Sequence, residues 1–206
     1  MIETASLLSA GAQRIVELLN RYLDARRATR AQRRELLRDL HGAVLEVDTD
    51  YRRLFTALDE SLEALATEPD RAAAQRAMRE ATRKLRAERE HYDAARTSIR
   101  ALSRNLMLFT EDEATRYYLW AIVAYMLDED PGIGFPTNVP AAVQKLIARD
   151  IGALTRTPSS VVLKALEDGR TPDQVLAVLR ERRQQMKRFL DYAIDQYTYL
   201  LARELA

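Results

Sequence analysis

The sequence predicts an all-α fold, built as an elongated antiparallel bundle of long helices. The chain of 206 residues contains only 6 Gly and 6 Pro. Gly is therefore about 3% of the residues against a usual ~7%, which leaves few positions for the tight turns of a β-sandwich or barrel. Apolar residues recur at intervals of three and four along most of the chain, and the sequence lacks an alternating strand pattern bounded by turn residues.

The first half of the chain carries the longest helical patterns. A first helix is predicted over about 4–27, where Ala12, Ile15 and Leu19 form one apolar stripe. Thr29 is a suitable N-cap for a second helix over about 30–66. The stripe of this second helix runs in three- and four-residue steps through Leu37, Leu40, Val44, Val47, Tyr51, Leu54, Leu58, Ser61 and Leu65. Such a repeat favours coiled-coil packing against another helix.

A third helix over about 69–109 continues the same period, so the second and third helices are predicted to form a long coiled-coil-like hairpin. Charge supports this pairing. Residues 45–70 hold eight acids and two Arg, a net charge of −6, whereas residues 71–104 hold ten bases and four acids, a net charge of +6. Antiparallel packing would place the two stretches side by side, where complementary charges specify the register.

The second half of the chain is more broken. Thr110 and Glu113 form a capping box that opens a helix over about 111–128. From Tyr117 onwards this helix is apolar on nearly every side, which predicts that it is buried. A Pro- and Gly-rich loop follows, and Thr171 with a Pro at the next position marks the start of the last long helix. The remaining helices are predicted over about 139–154, 160–168 and 172–204.

We expect a single all-helical domain over 1–206, with a subdivision into a hairpin part (1–109) and a compact part (110–206). The longest apolar run, Tyr117–Leu127, has eleven residues, about half of the ~20 that a membrane-spanning helix needs. The N-terminus lacks the pattern of a signal peptide. These features predict a cytoplasmic protein without stable membrane insertion. The excess of Arg, 28 of 32 basic residues, is typical of a GC-rich bacterial genome.

Few residues are suited to catalysis or metal binding. The absence of Cys excludes disulfides, thiolate metal sites and a Cys nucleophile. Glu88 and His91 have the Glu-x-x-His spacing that places two metal ligands on one helix face, and His41 is the other His of the chain. Because His41 does not complete a second motif of this kind, we interpret the three residues as an incomplete metal set. Glu88 then sets the helix register, and we expect neither a cofactor nor an enzymatic activity.

Two clusters of Arg form the other candidate sites. Residues 21–40 hold seven Arg and three acids, and residues 180–188 hold five bases and one acid, so each cluster has a net charge of +4. Several guanidinium groups close together suit phosphate groups or an acidic partner, whereas ion pairing is the competing interpretation. The candidate anion- or nucleic-acid-binding residues are Arg26, Arg27, Arg30, Arg33, Arg34, Arg38, Arg180, Arg182, Arg183 and Arg188.

The leading functional hypothesis is a non-catalytic interaction or scaffold protein that acts through protein–protein contacts and forms a homodimer. Long apolar stripes on narrow helices need partner helices to cover them, which favours this interpretation. Ile133 and Phe135, two large apolar residues in the Pro/Gly loop, are candidate partner contacts. The alternative is an accessory nucleic-acid-binding protein that uses the two Arg clusters. A metal-binding or membrane-active helical bundle is the second alternative.

Overall fold

The computed structural model describes residues 2–67, 70–127 and 164–205, and it confirms the all-α prediction. No strand occurs within these three ranges. Five long helices lie within these ranges: α1 (Ile2–Asp24), α2 (Arg30–Ala66), α3 (Arg71–Phe109), α4 (Glu113–Leu127) and α5 (Pro172–Leu205), and one turn of 3₁₀ helix (Ala25–Arg27) follows α1. The helix predicted over 139–154, residues 160–163 of that predicted over 160–168, and both Ile133 and Phe135 lie outside the described residues, whereas residues 164–167 are helical as expected.

Side-chain caps explain where two of the predicted helices begin. At α2, the backbone N–H of Gln32 donates to Oγ1 of Thr29 at 3.3 Å, and the backbone N–H of Thr29 donates back to Oε1 of Gln32 at 3.0 Å. Thr171 and Gln174 make the same reciprocal pair at α5, with distances of 3.4 and 3.1 Å. Each pair satisfies two backbone donors that the first helical turn leaves without an acceptor. The predicted starts of α2 and α5 are therefore confirmed.

The start of α4 differs from the sequence prediction. Asp112, rather than Thr110, caps this helix, because its Oδ2 accepts from the backbone N–H of Thr115 at 2.8 Å and from the Thr115 hydroxyl at 2.6 Å. Thr110 instead ends α3, where its backbone N–H donates to the Leu106 carbonyl at 3.2 Å. In the connection 110–112, the first residue therefore ends α3 and the last residue caps α4.

The five helices pack in a closed ring. α1 lies between α2 and α3, α4 lies between α3 and α5, and α5 returns to pack against α2. Direct contact between α2 and α3 is small compared with the contact that either helix makes with α1. The coiled-coil-like hairpin is therefore not confirmed, because α1 and α5 provide the main packing partners of α2.

The buried face of α2 shows why this helix needs two partners. A coiled-coil seam uses two positions of each heptad, whereas a helix in a globular core presents a broader stripe. The buried residues of α2 are Leu36, Leu40, Ala43, Val44, Val47, Asp48, Leu54, Phe55, Leu58 and Leu62. Ser61 of the predicted stripe is exposed, while its neighbour Leu62 is buried. The broad face is covered by α1 on one side and by α5 on the other.

Helix α4 is the most buried element. Every residue from Tyr118 to Leu127 is buried, as the apolar sequence of this segment predicts. At its C-terminal end, the buried Arg96 of α3 donates a hydrogen bond to the Leu127 carbonyl. A guanidinium at this position satisfies one of the last carbonyls of α4 and complements the negative end of the helix dipole.

A close helix approach fixes α1 against α2. A Cβ atom added to Gly11 would lie 2.7 Å from Cγ2 of Val47, which is shorter than an ordinary carbon–carbon contact. One turn further along, Nη1 of Arg14 contacts Oε2 of Glu46 at 2.8 Å. A side chain at position 11 therefore requires Val47 or one of the two helices to move.

The ion pairs of α2 differ from those expected for a hairpin with α3. Arg180 of α5 contacts Oδ1 of Asp59 at 3.0 Å and also pairs with Glu63. Among the side chains that the structure describes, no ion pair joins α2 to α3. Arg180 of α5 therefore complements two acids of α2, whereas the described ion pairs of the basic first half of α3 are with Asp70, Glu80 and Glu167.

Candidate functional site

Three large apolar side chains are exposed at one end of the bundle. Leu108, Tyr199 and Leu201 are 64%, 56% and 43% exposed, and they are the exposed large apolar residues among those described. Leu108 lies in the last turn of α3, and the other two lie near the end of α5. The ends of these two helices lie close together: Nη1 of Arg203 in α5 contacts Oδ1 of Asp112, three residues after the end of α3, at 2.9 Å. We refer to Leu108, Tyr199 and Leu201 as the apolar end.

The junction of α1 and α2 lies at this same end. Burial raises the pKa of Tyr22 in α1, while the hydroxyl of Thr110 and the guanidinium of Arg33 in α2 act in the opposite direction. Asp112 is close enough to add a further raising effect. Tyr22 therefore connects α1, the first turn of α2 and the connection between α3 and α4. Because Arg33 belongs to the first Arg cluster, its position near Tyr22 places this cluster beside the apolar end.

The first predicted Arg cluster is largely exposed. The side chains of Arg27, Arg30, Arg33, Arg34 and Arg38 all face solvent, and that of Arg26 is not described. None of the first-turn residues of α2 is acidic. This end of the molecule therefore combines exposed apolar groups with guanidinium groups, the two kinds of side chain that are enriched in protein–protein interfaces.

The second predicted Arg cluster is divided between two environments. Arg180 is held by two carboxylates of α2, which supports the ion-pair interpretation at this position. Arg183 lines a shallow groove whose other wall belongs to α2. The α2 residues of this groove are Thr49, Arg52, Arg53, Thr56, Ala57 and Glu60. Arg188 is exposed, and the side chain of Arg182 is not described.

Sequence reasoning missed a buried polar contact between α2 and α4. Asp48 is buried, and its Oδ1 accepts a hydrogen bond from the Tyr125 hydroxyl at 3.1 Å. Its other oxygen, Oδ2, pairs with Arg52, whose side chain reaches solvent. Asp48 follows Val44 and Val47 on the apolar face of α2. An acid at this point of an apolar stripe is the sequence feature that could have indicated a buried polar contact. The contact links the buried helix α4 to α2.

The predicted metal set is not assembled within the described residues. The side chains of Glu88 and His91 are not described, and the described part of the chain contains no group of three His, Asp or Glu residues arranged to hold a metal ion. His41 instead lies in an aromatic cluster. Its ring stacks on that of Tyr197 with centroids 4.0 Å apart, and it lies 6.0 Å from the ring of Tyr118.

The His41 cluster holds two buried polar atoms that have no hydrogen-bond partner among the described residues, Nδ1 of His41 and the hydroxyl of Tyr118. Burial lowers the pKa of His41 from its ordinary value of 6.5. Burial, assisted by Tyr197, raises the pKa of Tyr118 far above its ordinary value. Both rings are therefore neutral at pH 7, and the cluster packs as an uncharged unit between α2, α4 and α5.

The neutral state of His41 predicts how stability depends on pH. Because the folded-state pKa is lower than the unfolded-state pKa, the unfolded chain takes up the proton first. The free energy of unfolding should be constant above about pH 7, fall as the pH drops through about 6.5, and level off below the folded-state pKa, with a slope of at most about 1.4 kcal/mol per pH unit. Urea denaturation between about pH 8 and about pH 5 measures this effect.

The chain provides a matched control in its second His. A His41→Asn variant should have a flatter pH profile than the wild type over this interval, and a His91→Asn variant measures the effect of replacing the other His. Carboxylates contribute equally to all three proteins, so the differences between profiles isolate each His. An unchanged slope in the His41→Asn protein contradicts the prediction.

None of the described helices is both long enough and apolar enough to cross a membrane. Comparisons with models of known protein families, with curated proteins and with solved structures find no match to this chain.

Proposed function

We propose that this protein is a non-catalytic helical scaffold that acts through protein–protein contacts, and that the apolar end is its contact surface in a homodimer. The exposure of Leu108, Tyr199 and Leu201 together at one end of the bundle is the observation that supports this function. Burial of apolar surface stabilises association by about 25 cal/mol per Å². Water-exposed Leu and Tyr side chains at the same end of the bundle therefore favour a partner that covers this end.

The surroundings of the apolar end suit a second copy of the same chain. A two-fold interface brings identical surfaces together, so each surface must complement itself. Exposed Arg27 and Arg30 lie at this end together with exposed Asp24 and Glu111, so a copy related by a two-fold axis can offer both signs of charge. The formal net charge of +1 gives little overall repulsion between two copies.

Sedimentation velocity of the purified protein at micromolar concentration tests this proposal. We expect a dimer for the wild type and a monomer for a triple variant with Leu108→Gln, Tyr199→Gln and Leu201→Gln. The control is an Ala72→Gln, Ala87→Gln double variant, since both positions are exposed on the first half of α3. It should remain dimeric, and circular dichroism should show the same helix content in all three proteins.

A wild type that is monomeric at this concentration contradicts the homodimer. A triple variant that remains dimeric, with the control dimeric as well, assigns self-association to another surface and contradicts the role of the apolar end.

A further inference from the structure

The first half of α3 carries a concentration of positive charge. Residues 71–87 contain six basic residues and one acid, a net charge of +5. Pairing with the acidic half of α2 would have neutralised this charge, but the ion pairs seen for Glu46, Asp48, Asp50, Asp59 and Glu63 of α2 are with α1, with α5 or within α2 itself. The basic stretch of α3 is therefore left as a surface of its own.

Four of these basic residues form a row along one face of α3. Arg76, Arg79, Arg83 and Arg86 follow one another at intervals of three, four and three residues, and all four are exposed. This spacing places them on the same side of the helix. Ten residues of α-helix extend for about 15 Å at ~1.5 Å per residue. We refer to these four residues as the Arg row.

The acids near the Arg row make only exposed contacts with it. Asp70 lies 3.8 Å from Arg76, Glu80 lies 2.7 Å from Arg83, and Glu167 pairs with Arg86. When these three acids are counted against the six basic residues of 71–87, a charge of +3 remains. Exposed ion pairs of this kind are worth about 0–1 kcal/mol. A phosphate group can therefore displace these carboxylates from the guanidinium groups.

The chemistry of this face favours a polyanion over an apolar partner. The exposed large apolar side chains of the described residues all lie at the apolar end, and none lies beside the Arg row. A protein helix or a lipid bilayer normally requires such side chains for a stable contact. A guanidinium group can donate two parallel hydrogen bonds to one phosphate group, and it remains charged at every physiological pH.

We propose that the Arg row binds the phosphate backbone of a nucleic acid without sequence preference. Duplex DNA carries one negative charge per ~1.7 Å of its axis, so about nine charges lie within the ~15 Å that the row spans. The four side chains therefore find phosphate partners in any register. This site differs from both Arg clusters that the sequence singles out, and it is independent of the proposed dimer surface.

The number of contacts determines the dependence on salt. Each neutralised phosphate of duplex DNA contributes about −0.9 to the slope of log K against log salt concentration. Four contacts give a slope of about −3.6, which corresponds to an affinity loss of about 100-fold between ~50 and ~200 mM salt. We expect this behaviour for the wild-type protein, with weak to moderate affinity as is usual for contacts to the backbone alone.

Fluorescence anisotropy of a labelled mixed-sequence DNA duplex, titrated with the full chain at several salt concentrations, tests the proposal. A variant with all four residues of the Arg row changed to Gln should lose at least about tenfold in affinity at low salt and most of its salt dependence. The charge-matched control carries Arg30→Gln, Arg33→Gln, Arg34→Gln and Arg38→Gln in the first Arg cluster. It should bind as the wild type does.

A single Arg79→Gln variant gives a second measurement that needs no large change of charge. It should reduce the slope by about 0.9. Equal losses in the two quadruple variants, a loss confined to the control, or no binding by the wild type at low salt would each overturn the proposal. Tighter binding to vesicles of anionic phospholipid than to the duplex would also overturn it, because the occupant would then be a membrane surface. Sedimentation of the Arg-row variant should still give the wild-type oligomer.

Discussion

Replacement of Leu119 by Ala is expected to lower the free energy of unfolding by about 2–5 kcal/mol. Leu119 is completely buried in α4, where ten consecutive residues from Tyr118 to Leu127 are shielded from solvent. The shorter side chain loses apolar contacts and leaves a cavity, and α4 cannot shift to fill it because α3 and α5 hold it on two sides.

Leu108 provides the matched control for this substitution. It is the same residue type at 64% exposure, so Leu108→Ala should change the free energy of unfolding by less than about 0.5 kcal/mol. Urea denaturation followed by the fluorescence of the single Trp, Trp120, measures both variants without removing the probe. Similar losses in the two proteins would contradict the central position of α4.

The second large effect is expected at Asp48. The Asp48→Ala variant leaves the buried Tyr125 hydroxyl without the acceptor that it has at 3.1 Å, at an expected cost of about 1–3 kcal/mol. The control is Glu46→Ala, two residues earlier on the same helix. Glu46 pairs with Arg14 at 2.8 Å, both side chains are more than half exposed, and loss of that pair should cost less than about 1 kcal/mol.

A double-mutant cycle separates the Asp48–Tyr125 contact from other effects of the substitutions. Tyr125→Phe removes the hydroxyl but keeps the buried ring and its edge-on contact with Tyr51. If the hydrogen bond accounts for the loss, Tyr125→Phe should be less destabilising in the Asp48→Ala protein than in the wild type. Additive losses, measured by urea denaturation, would show that the two side chains act independently.

Helix positions could be predicted from the sequence because the signals that define them are local. The predicted α2, residues 30–66, matches the observed Arg30–Ala66, and Thr29 and Thr171 cap their helices as expected. The N-cap of α4 was assigned to the wrong residue. Thr110 and Asp112 both carry a suitable oxygen, and the choice depends on where α3 ends, which is decided by the hydrogen bond from Thr110 to Leu106.

Helix partners could not be predicted in the same way. The acidic half of α2 is complementary to two basic segments, residues 71–104 and residues 180–188, and charge alone does not select between them. The selection of α5 follows from packing, because the buried face of α2 is too broad for one partner helix. This choice also determines that Arg180 is the residue that pairs with Asp59 and Glu63.

The candidate sites depend on long-range packing still more strongly. The aromatic cluster joins His41, Tyr118 and Tyr197, which lie on three helices far apart in the sequence. The Arg row was visible in the sequence as part of the basic stretch 71–104, where it was interpreted as a complement to α2. Leu108 gave no signal, since its neighbour Met107 is equally apolar and is buried.

The closed ring has a consequence for folding during synthesis. α5 covers both α4 and one side of α2, yet it is synthesised after them. At ~5–20 residues per second, residues 128–205 need roughly 4–16 s to be added. During that interval the nascent chain exposes the apolar surface that α5 later covers. Chaperones on the ribosome can therefore bind α4 before α5 packs against it.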